Sequence, residues 1–143
     1  MTVIFSKKCE YGLQAVLYLA VRSKGEVVSS DEIAKKLGIP KEFISKILQS
    51  LTESGIVDSR KGKAGGFFLA KDRSRIHLID IVSAIDGLEM FNSCVLGFPS
   101  CNPDNPCPLH SKWGELRTKT YDMLTDETID KFRESTLRKV SNL

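Results

Sequence analysis

Apolar residues recur at helical spacing near the start of the chain and predict two helices. The first covers Ser6–Arg22, where apolar positions fall every three or four residues and Gly25 lies just beyond the end. The second covers Asp31–Leu37, because Ser29 and Glu32 have the spacing of a capping box at its start.

A third helix is predicted over Pro40–Ser54, since proline suits a first helical turn and Gly55 a left-handed cap. Its apolar positions predict a buried face of Phe43, Ile44, Ile47, Leu48 and Leu51. Two short helices joined by a glycine-containing turn make a helix-turn-helix, which usually inserts its second helix into the DNA major groove.

Two short strands are predicted next, Ile56–Arg60 and Phe67–Ala70, and the glycine-rich loop between them makes the pair a β-hairpin. Helix-turn-helix plus hairpin is a winged helix. Its glycine-rich tip carries Arg60, Lys61 and Lys63, which sit where a wing would meet phosphates or a minor groove. A phosphate-binding loop is the rival interpretation, but the Gly-x4-Gly-Lys-Ser/Thr signature is absent.

The second half of the chain predicts a helix over Ile76–Ile85 and a longer helix after residue 108. The longer helix carries an apolar seam with 4-3-4-3 spacing, formed by Leu109, Trp113, Leu116, Thr120 and Met123. That spacing predicts a homodimer, although a helix packed on its own domain can show the same pattern. A final short helix is predicted over Thr128–Leu137.

The charge distribution indicates an anionic partner. Residues 1–75 carry 14 Lys/Arg and 8 Asp/Glu (+6), whereas residues 76–143 carry 7 and 10 (−3). The basic half is therefore the expected surface for DNA.

No apolar run reaches the roughly 18 residues of a membrane span. In a signal peptide, positive charges precede the apolar stretch, whereas at this N-terminus they follow it. We therefore expect no signal peptide and a cytoplasmic protein.

The stretch Cys94-x6-Cys101-x5-Cys107-x2-His110 is the strongest chemical signal in the chain. It lies in a segment rich in proline, asparagine and glycine, which is unsuited to a hydrophobic core, and thiolates and imidazole bind soft metals. The residues alone favour an iron–sulfur site and leave zinc, a redox disulfide and inert thiols open. Most zinc sites have a tight Cys-x2–4-Cys pair, which is missing here.

On the predicted third helix, Ser45, Lys46 and Gln49 lie opposite the apolar face and are the candidates for contact with bases or phosphates. The donor pattern of Lys46 suits guanine and that of Gln49 suits adenine. Cys9 is a lone helical cysteine and is expected to be packing.

These residues resemble the Rrf-type winged-helix transcription regulators, in particular the IscR/NsrR-like iron–sulfur group. The resemblance covers roughly residues 4–130. It rests above all on Lys61-Gly62-Lys63-Ala64-Gly65-Gly66-Phe67 and Cys107-Pro108-Leu109-His110-x2-Trp113, with further matches at Tyr11-Gly12-Leu13-Gln14-Ala15, Gly55-Ile56-Val57 and Ile79-x2-Val82-x-Ala84-Ile85.

The resemblance implies a dimeric bacterial regulator that binds a palindromic DNA operator and carries an iron–sulfur cluster on Cys94, Cys101 and Cys107. Members with Cys-x2-His after the third cysteine hold a [2Fe-2S] cluster, which makes His110 the implied fourth ligand and favours [2Fe-2S]. Other members hold [4Fe-4S] and take a carboxylate from the partner's first helix, at about Glu10 here. The first gap is one residue longer than in the best-known IscR proteins, so the cluster geometry does not carry over directly.

The sequence thus predicts a mainly α protein with a small β-hairpin, divided into three parts. Residues 1–90 form the winged helix-turn-helix DNA-binding domain, 91–110 the cysteine-rich cluster-binding loop, and 111–143 a long dimerisation helix with the C-terminal tail. A thiol-redox or zinc-responsive regulator without a cluster is the alternative. No base constellation of a thiol enzyme is present, so we expect no enzymatic activity.

Overall fold

A computed structural model describes residues 4–132 together with Ser135 and Arg138. Within them, five α-helices and one antiparallel hairpin follow in the order α1 Lys7–Ala20, α2 Ser30–Leu37, α3 Lys41–Glu53, β1 Val57–Arg60, β2 Gly66–Leu69, α4 Leu78–Ile85 and α5 His110–Asp126. Short 3-10 turns cover Arg73–Arg75, Glu89–Phe91 and Ile129–Phe132. The predicted mainly helical winged fold is confirmed.

The residues at the helix ends explain where α2 and α3 begin and end. Ser29 Oγ accepts a hydrogen bond from the Glu32 backbone N–H at 3.1 Å, so α2 starts at the predicted cap. Gly38 ends α2 in the left-handed conformation (φ 66°), and Pro40 lies immediately before α3. Gly55 has φ 77° and ends α3 as predicted, since a side chain is disfavoured in that conformation.

The main core lies between α1, α2, α3 and the hairpin, and α3 contributes its apolar stripe. Ile44, Ile47, Leu48 and Leu51 are fully buried, as predicted. The prediction that Phe43 is buried is wrong, because 52% of this residue remains exposed. Phe43 lies about 100° around the helix from Ile44, at the edge of the stripe and in the first turn, so about half of its surface stays in solvent.

The hairpin is joined to the helical body through the segment before α2. Val57 pairs with Leu69 and Arg60 with Gly66, and Val28 forms an additional bridge to Phe67 with hydrogen bonds of 2.9 and 2.7 Å. This close approach needs a glycine at position 66. A Cβ atom there would lie 2.5 Å from the Val28 carbonyl oxygen.

Gly66→Ala is therefore expected to destabilise the protein by about 1–3 kcal/mol, because the backbone of residue 28 must shift. Gly114→Ala is the matched control. A Cβ at Gly114 would meet nothing closer than the Arg117 guanidinium at 3.8 Å. It should be neutral or stabilise α5 by up to about 1 kcal/mol. Thermal unfolding of the two variants checks this, and equal unfolding temperatures would contradict the tight packing.

A second, smaller apolar cluster anchors α5 to the winged domain. It contains the buried residues Cys9, Ile79, Val82, Phe91 and Leu124. The Phe91 and Tyr121 rings pack edge to face, with centroids 5.3 Å apart. The C-terminal half of α5 is therefore fixed to the body of the molecule through α1 and α4.

The fourth helix starts later than predicted, at Leu78 instead of Ile76. Ile76 is buried, but its backbone is extended and its carbonyl accepts a hydrogen bond from the Ile129 N–H at 2.9 Å. Leu78 N–H in turn donates to the Glu127 carbonyl at 3.0 Å. The segment after α5 thus pairs with residues 76–78 and delays the helix.

The predicted seam on α5 lies largely on the surface of the single chain. Leu116 and Met123 are 59% and 52% exposed, and Leu109 is 38% exposed. Of the helix predicted over residues 128–137, Ile129–Phe132 forms a 3-10 turn and Ser135 is helical, whereas positions 133, 134, 136 and 137 lie outside the described residues. Within the described part of the chain, no helix is long and apolar enough to cross a membrane.

Candidate metal centre and nucleic-acid interface

The three cysteines of the loop before α5 converge on one small volume. Their Sγ atoms all lie within 4.8 Å of one another, and those of Cys94 and Cys107 are 3.5 Å apart. His110, the first residue of α5, places its Nδ1 atom 3.2 Å from the Cys101 Sγ. All four side chains line a cavity of about 220 Å³, together with Asn92, Asn102, Pro103, Trp113 and Arg117.

Local backbone geometry makes one of these thiols unusually acidic. Partial burial raises the pKa of Cys94, but hydrogen bonds from the backbone N–H groups of Phe98 and Leu96, and the neighbouring thiols of Cys107 and Cys101, outweigh it and lower the pKa to about 7. Burial and the two neighbouring cysteines raise the pKa of Cys107. The pocket therefore holds one thiol that is readily deprotonated, and the thiolate is the form that binds a metal.

Two residues of α5 hold the beginning of the loop, and the sequence did not indicate this role. Trp113 Nε1 donates to the Ser93 carbonyl at 2.9 Å, and Arg117 Nη1 approaches the same oxygen at 3.4 Å. Ser93 directly precedes Cys94, so α5 positions the first thiol as well as supplying His110. The spacing of residues 110, 113 and 117 places them on one helix face, and this periodicity was the available signal.

The two remaining candidate groups lie elsewhere in the chain. Cys9 is fully buried in the small apolar cluster, and burial together with the Asp86 carboxylate raises its pKa to about 12, as expected of a packing residue. Glu10 forms an ion pair with Lys7 at 3.3 Å and does not line the cysteine cavity of its own chain.

The donor set fits a thiophilic metal. Three sulfurs and one imidazole nitrogen within a few ångströms are ligands that both iron–sulfur clusters and zinc accept. Among the described residues, no carboxylate lines the cavity, so a hard cation such as Mg²⁺ would find no anionic oxygen ligand there. The positive charge of Arg117 at the cavity complements the negative charge of thiolates.

The candidate DNA-contacting residues of α3 are all exposed. Ser45, Lys46 and Gln49 project from the face opposite the buried stripe. In the described part of the chain, neither the Lys46 nor the Gln49 side chain has a hydrogen-bond or ion-pair partner. Their donors are therefore available to a ligand.

The wing presents its cations in the same way. Arg60, Lys61 and Lys63 are exposed around the turn between β1 and β2. The Arg60 guanidinium lies 5.9 Å from the centre of the Phe68 ring, and no ion pair of the described residues involves any of the three cations. The fold and these two exposed surfaces define the class of winged helix-turn-helix proteins.

Comparison with known proteins places the chain within this class. A family model described as an iron-dependent transcriptional regulator matches residues 5–135. An HTH-type transcriptional regulator assigned in Aquifex aeolicus is 37% identical over 129 residues, covering 89% of both chains. The HTH-type transcriptional regulator IscR of Pectobacterium atrosepticum is 28% identical and aligns with 87% of this chain and 76% of its own length.

The fold is also that of a solved regulator. The structure of CymR, the global cysteine regulator of B. subtilis, superposes with a TM-score of 0.79 at 22% identity, covering 94% of this chain and 98% of CymR. The chain belongs to the Rrf2 family of transcriptional regulators and is IscR-like. Members of this family are transcription regulators and not enzymes.

Proposed function

We propose that this protein is a dimeric bacterial transcription regulator whose operator binding is modulated by an iron–sulfur cluster on Cys94, Cys101 and Cys107. The observation that carries the proposal is the convergence of three thiols within 4.8 Å on a loop tied to α5. In this proposal, residues 1–90 bind DNA, residues 91–110 hold the cluster and residues 111–143 dimerise.

The DNA-binding part of the proposal rests on charge and shape. Helix α3 would enter the major groove with Ser45, Lys46 and Gln49 directed at bases and phosphates. The wing cations Arg60, Lys61 and Lys63 would meet the sugar–phosphate backbone or the minor groove. Both surfaces lie in the half of the sequence with net charge +6 (14 Lys/Arg and 8 Asp/Glu).

The proposal of a dimer is based on the exposed apolar seam of α5. Leu116 and Met123 expose more than half of their surface, and their helix stands outside the main core. A second copy of the same seam would cover these side chains in a coiled-coil arrangement. Two recognition helices would then face two halves of a palindromic operator.

The proposed ligands are the three thiolates with His110, which favours a [2Fe-2S] cluster over [4Fe-4S]. His110 Nδ1 already lies beside the Cys101 sulfur at 3.2 Å. Glu10 of the partner subunit is the alternative fourth ligand, and it would go with [4Fe-4S]. When bound, the cluster would supply a centre that responds to iron or cluster supply, to redox conditions or to nitric oxide.

The path from the loop to DNA follows from the contacts of α5. Its N-terminal half holds His110, Trp113 and Arg117 against the cysteine loop. Its C-terminal half is fixed to α1 and α4 through the apolar cluster that contains Leu124, and to the turn before the loop through the contact of Tyr121 with Phe91. Ordering the loop would therefore change the position of the first half of α5. The apolar seam, which lies on the same helix, would move with it. That change would alter the separation of the two α3 helices.

A zinc-responsive or thiol-redox regulator is the second candidate, and the distance between two of the sulfurs is compatible with zinc. Zn–S bonds of about 2.3 Å in a tetrahedral site put neighbouring sulfurs about 3.8 Å apart. The 3.5 Å between the Cys94 and Cys107 sulfurs is close to that value. The iron-dependent description of the family supports iron over zinc.

An absorption spectrum of the anaerobically purified protein, with metal analysis, separates these candidates. A cluster predicts a brown protein with sulfide-to-iron bands and iron in the sample. A colourless protein with one zinc per chain would establish the second candidate instead. A colourless, metal-free protein that cannot be reconstituted with iron and sulfide would leave only the thiol-redox regulator.

The wing supplies a direct test of DNA binding. Replacing Lys61 and Lys63 by alanine should weaken binding to every DNA sequence. It should reduce the slope of log affinity against log salt concentration by about two units per subunit, or about four for the dimer, because each lysine would neutralise one phosphate. Fluorescence anisotropy at several salt concentrations measures the slope. Lys112→Ala, which removes a cation at the start of α5, is the matched control. An unchanged slope in the double wing variant would rule out this placement of the hairpin.

A further inference from the structure

We infer that Phe43 is a further specificity-determining residue, which contacts the 5-methyl group of a thymine in the major groove of each operator half-site. The inference rests on the DNA-binding function proposed above and adds an apolar contact to the polar ones of α3. It begins from the residue that the hydrophobic pattern assigned wrongly to the core.

The surroundings of Phe43 distinguish it from the apolar stripe. Phe43 is 52% exposed, whereas the next residue, Ile44, is fully buried. The Tyr11 ring lies beside it, with centroids 6.3 Å apart, and the Lys7 ammonium lies 5.3 Å from the Tyr11 centroid. Tyr11 thus packs beside the Phe43 ring, while about half of the surface of Phe43 stays open to solvent.

Single exposed apolar side chains are common on protein surfaces, so it is the position of Phe43 that assigns the role. Phe43 is the third residue of α3, and the N-terminal residues of a recognition helix contact base edges. It precedes Lys46 by three positions, so the two side chains are neighbours on the helix surface. Lys46 is the proposed contact to guanine.

The chemistry of the groove then selects the target. Phenylalanine has no hydrogen-bond donor or acceptor, so it cannot distinguish bases by their polar edges. Thymine presents a methyl group in the major groove, and apolar side chains contact that group. A phenylalanine at this position therefore favours thymine over cytosine and over uracil, which differs from thymine only by lacking the methyl.

The test uses duplexes that the wild-type protein selects from a random library. Each thymine of the selected site is replaced in turn by deoxyuridine, symmetrically in both halves, and affinity is measured by fluorescence anisotropy for wild type, Phe43→Ala and Gln49→Ala. At one position per half-site, loss of the methyl should weaken wild-type binding about fourfold for each half, the value of one buried methyl-sized group.

Phe43→Ala should remove this dependence, so that thymine and deoxyuridine duplexes bind equally, whereas Gln49→Ala should weaken binding but keep the full deoxyuridine effect. Circular dichroism and retained binding to random DNA at low salt verify folding, and Phe43→Gln serves if the alanine variant does not fold. A deoxyuridine effect that persists in the folded Phe43 variant would overturn the inference, as would its absence in wild type. Failure of the wild type to select any DNA would instead overturn the proposed function.

Discussion

The Cys101→Ala variant should lose the entire visible absorption of a bound cluster while remaining a folded dimer. Cys101 lies at the centre of the ligand set, with its sulfur 3.2 Å from His110 Nδ1 and 3.4 Å from the Cys107 backbone nitrogen. The core and the seam lie elsewhere, so removing this thiol leaves them intact. Absorption spectroscopy and size-exclusion chromatography of the anaerobically prepared variant check both parts.

Cys9→Ala is the matched control, because Cys9 is buried and lies outside the loop. This variant should have the same spectrum as the wild type. His110→Ala then tests the fourth ligand. Loss of the chromophore or a clear spectral shift would support His110, whereas an unchanged spectrum would transfer the assignment to Glu10 of the partner subunit. A full wild-type spectrum in Cys101→Ala would exclude this loop as the cluster site.

The double variant Leu116→Lys with Met123→Lys should convert the dimer to a monomer and lower operator affinity by roughly 10²–10⁴-fold. Two lysines on the seam would place like charges opposite each other and remove the apolar area that a second copy would cover. The second half-site then no longer benefits from the effective concentration that a linked partner provides.

Thr118→Lys controls for the added charge, because Thr118 is exposed on the opposite face of α5. It should remain dimeric with nearly unchanged operator affinity. Sedimentation equilibrium gives the mass, and anisotropy with a full operator and with a single half-site gives the affinities. A double variant that stays dimeric would show that the exposed apolar side chains of α5 are not the subunit interface.

Much of the winged fold could be predicted because its signals are local. The Ser29 cap, the glycines at 38 and 55 and the period of the α3 stripe act within a few residues. The start of α4 could not be predicted, since Ile76 is held extended by the Ile129 N–H, which is remote in sequence. The burial of Phe43 was predicted wrongly, because periodicity indicates which face of a helix is apolar. It does not show how much of each side chain on that face is covered by neighbouring elements.

The ligand types of the candidate centre could be predicted, because cysteine and histidine side chains in a loop that forms no hydrophobic core are typical ligands of soft metals. Their convergence could not, since the distances among the sulfurs depend on how the loop folds. The anchoring of Ser93 is likewise tertiary, because it joins a backbone carbonyl of the loop to Trp113 and Arg117 on α5. The cofactor, the dimer and the DNA contacts remain predictions.

The most direct test of cluster-dependent regulation compares the operator affinity of the cluster-loaded wild type with that of the folded, cluster-free Cys101→Ala dimer. A coupling energy of about 1–3 kcal/mol predicts a change of roughly 5–150-fold on the selected operator. Binding to random DNA should change little, because the wing contacts do not depend on the loop. Equal operator affinities for the two forms would contradict the sensing role and leave only a DNA-binding protein.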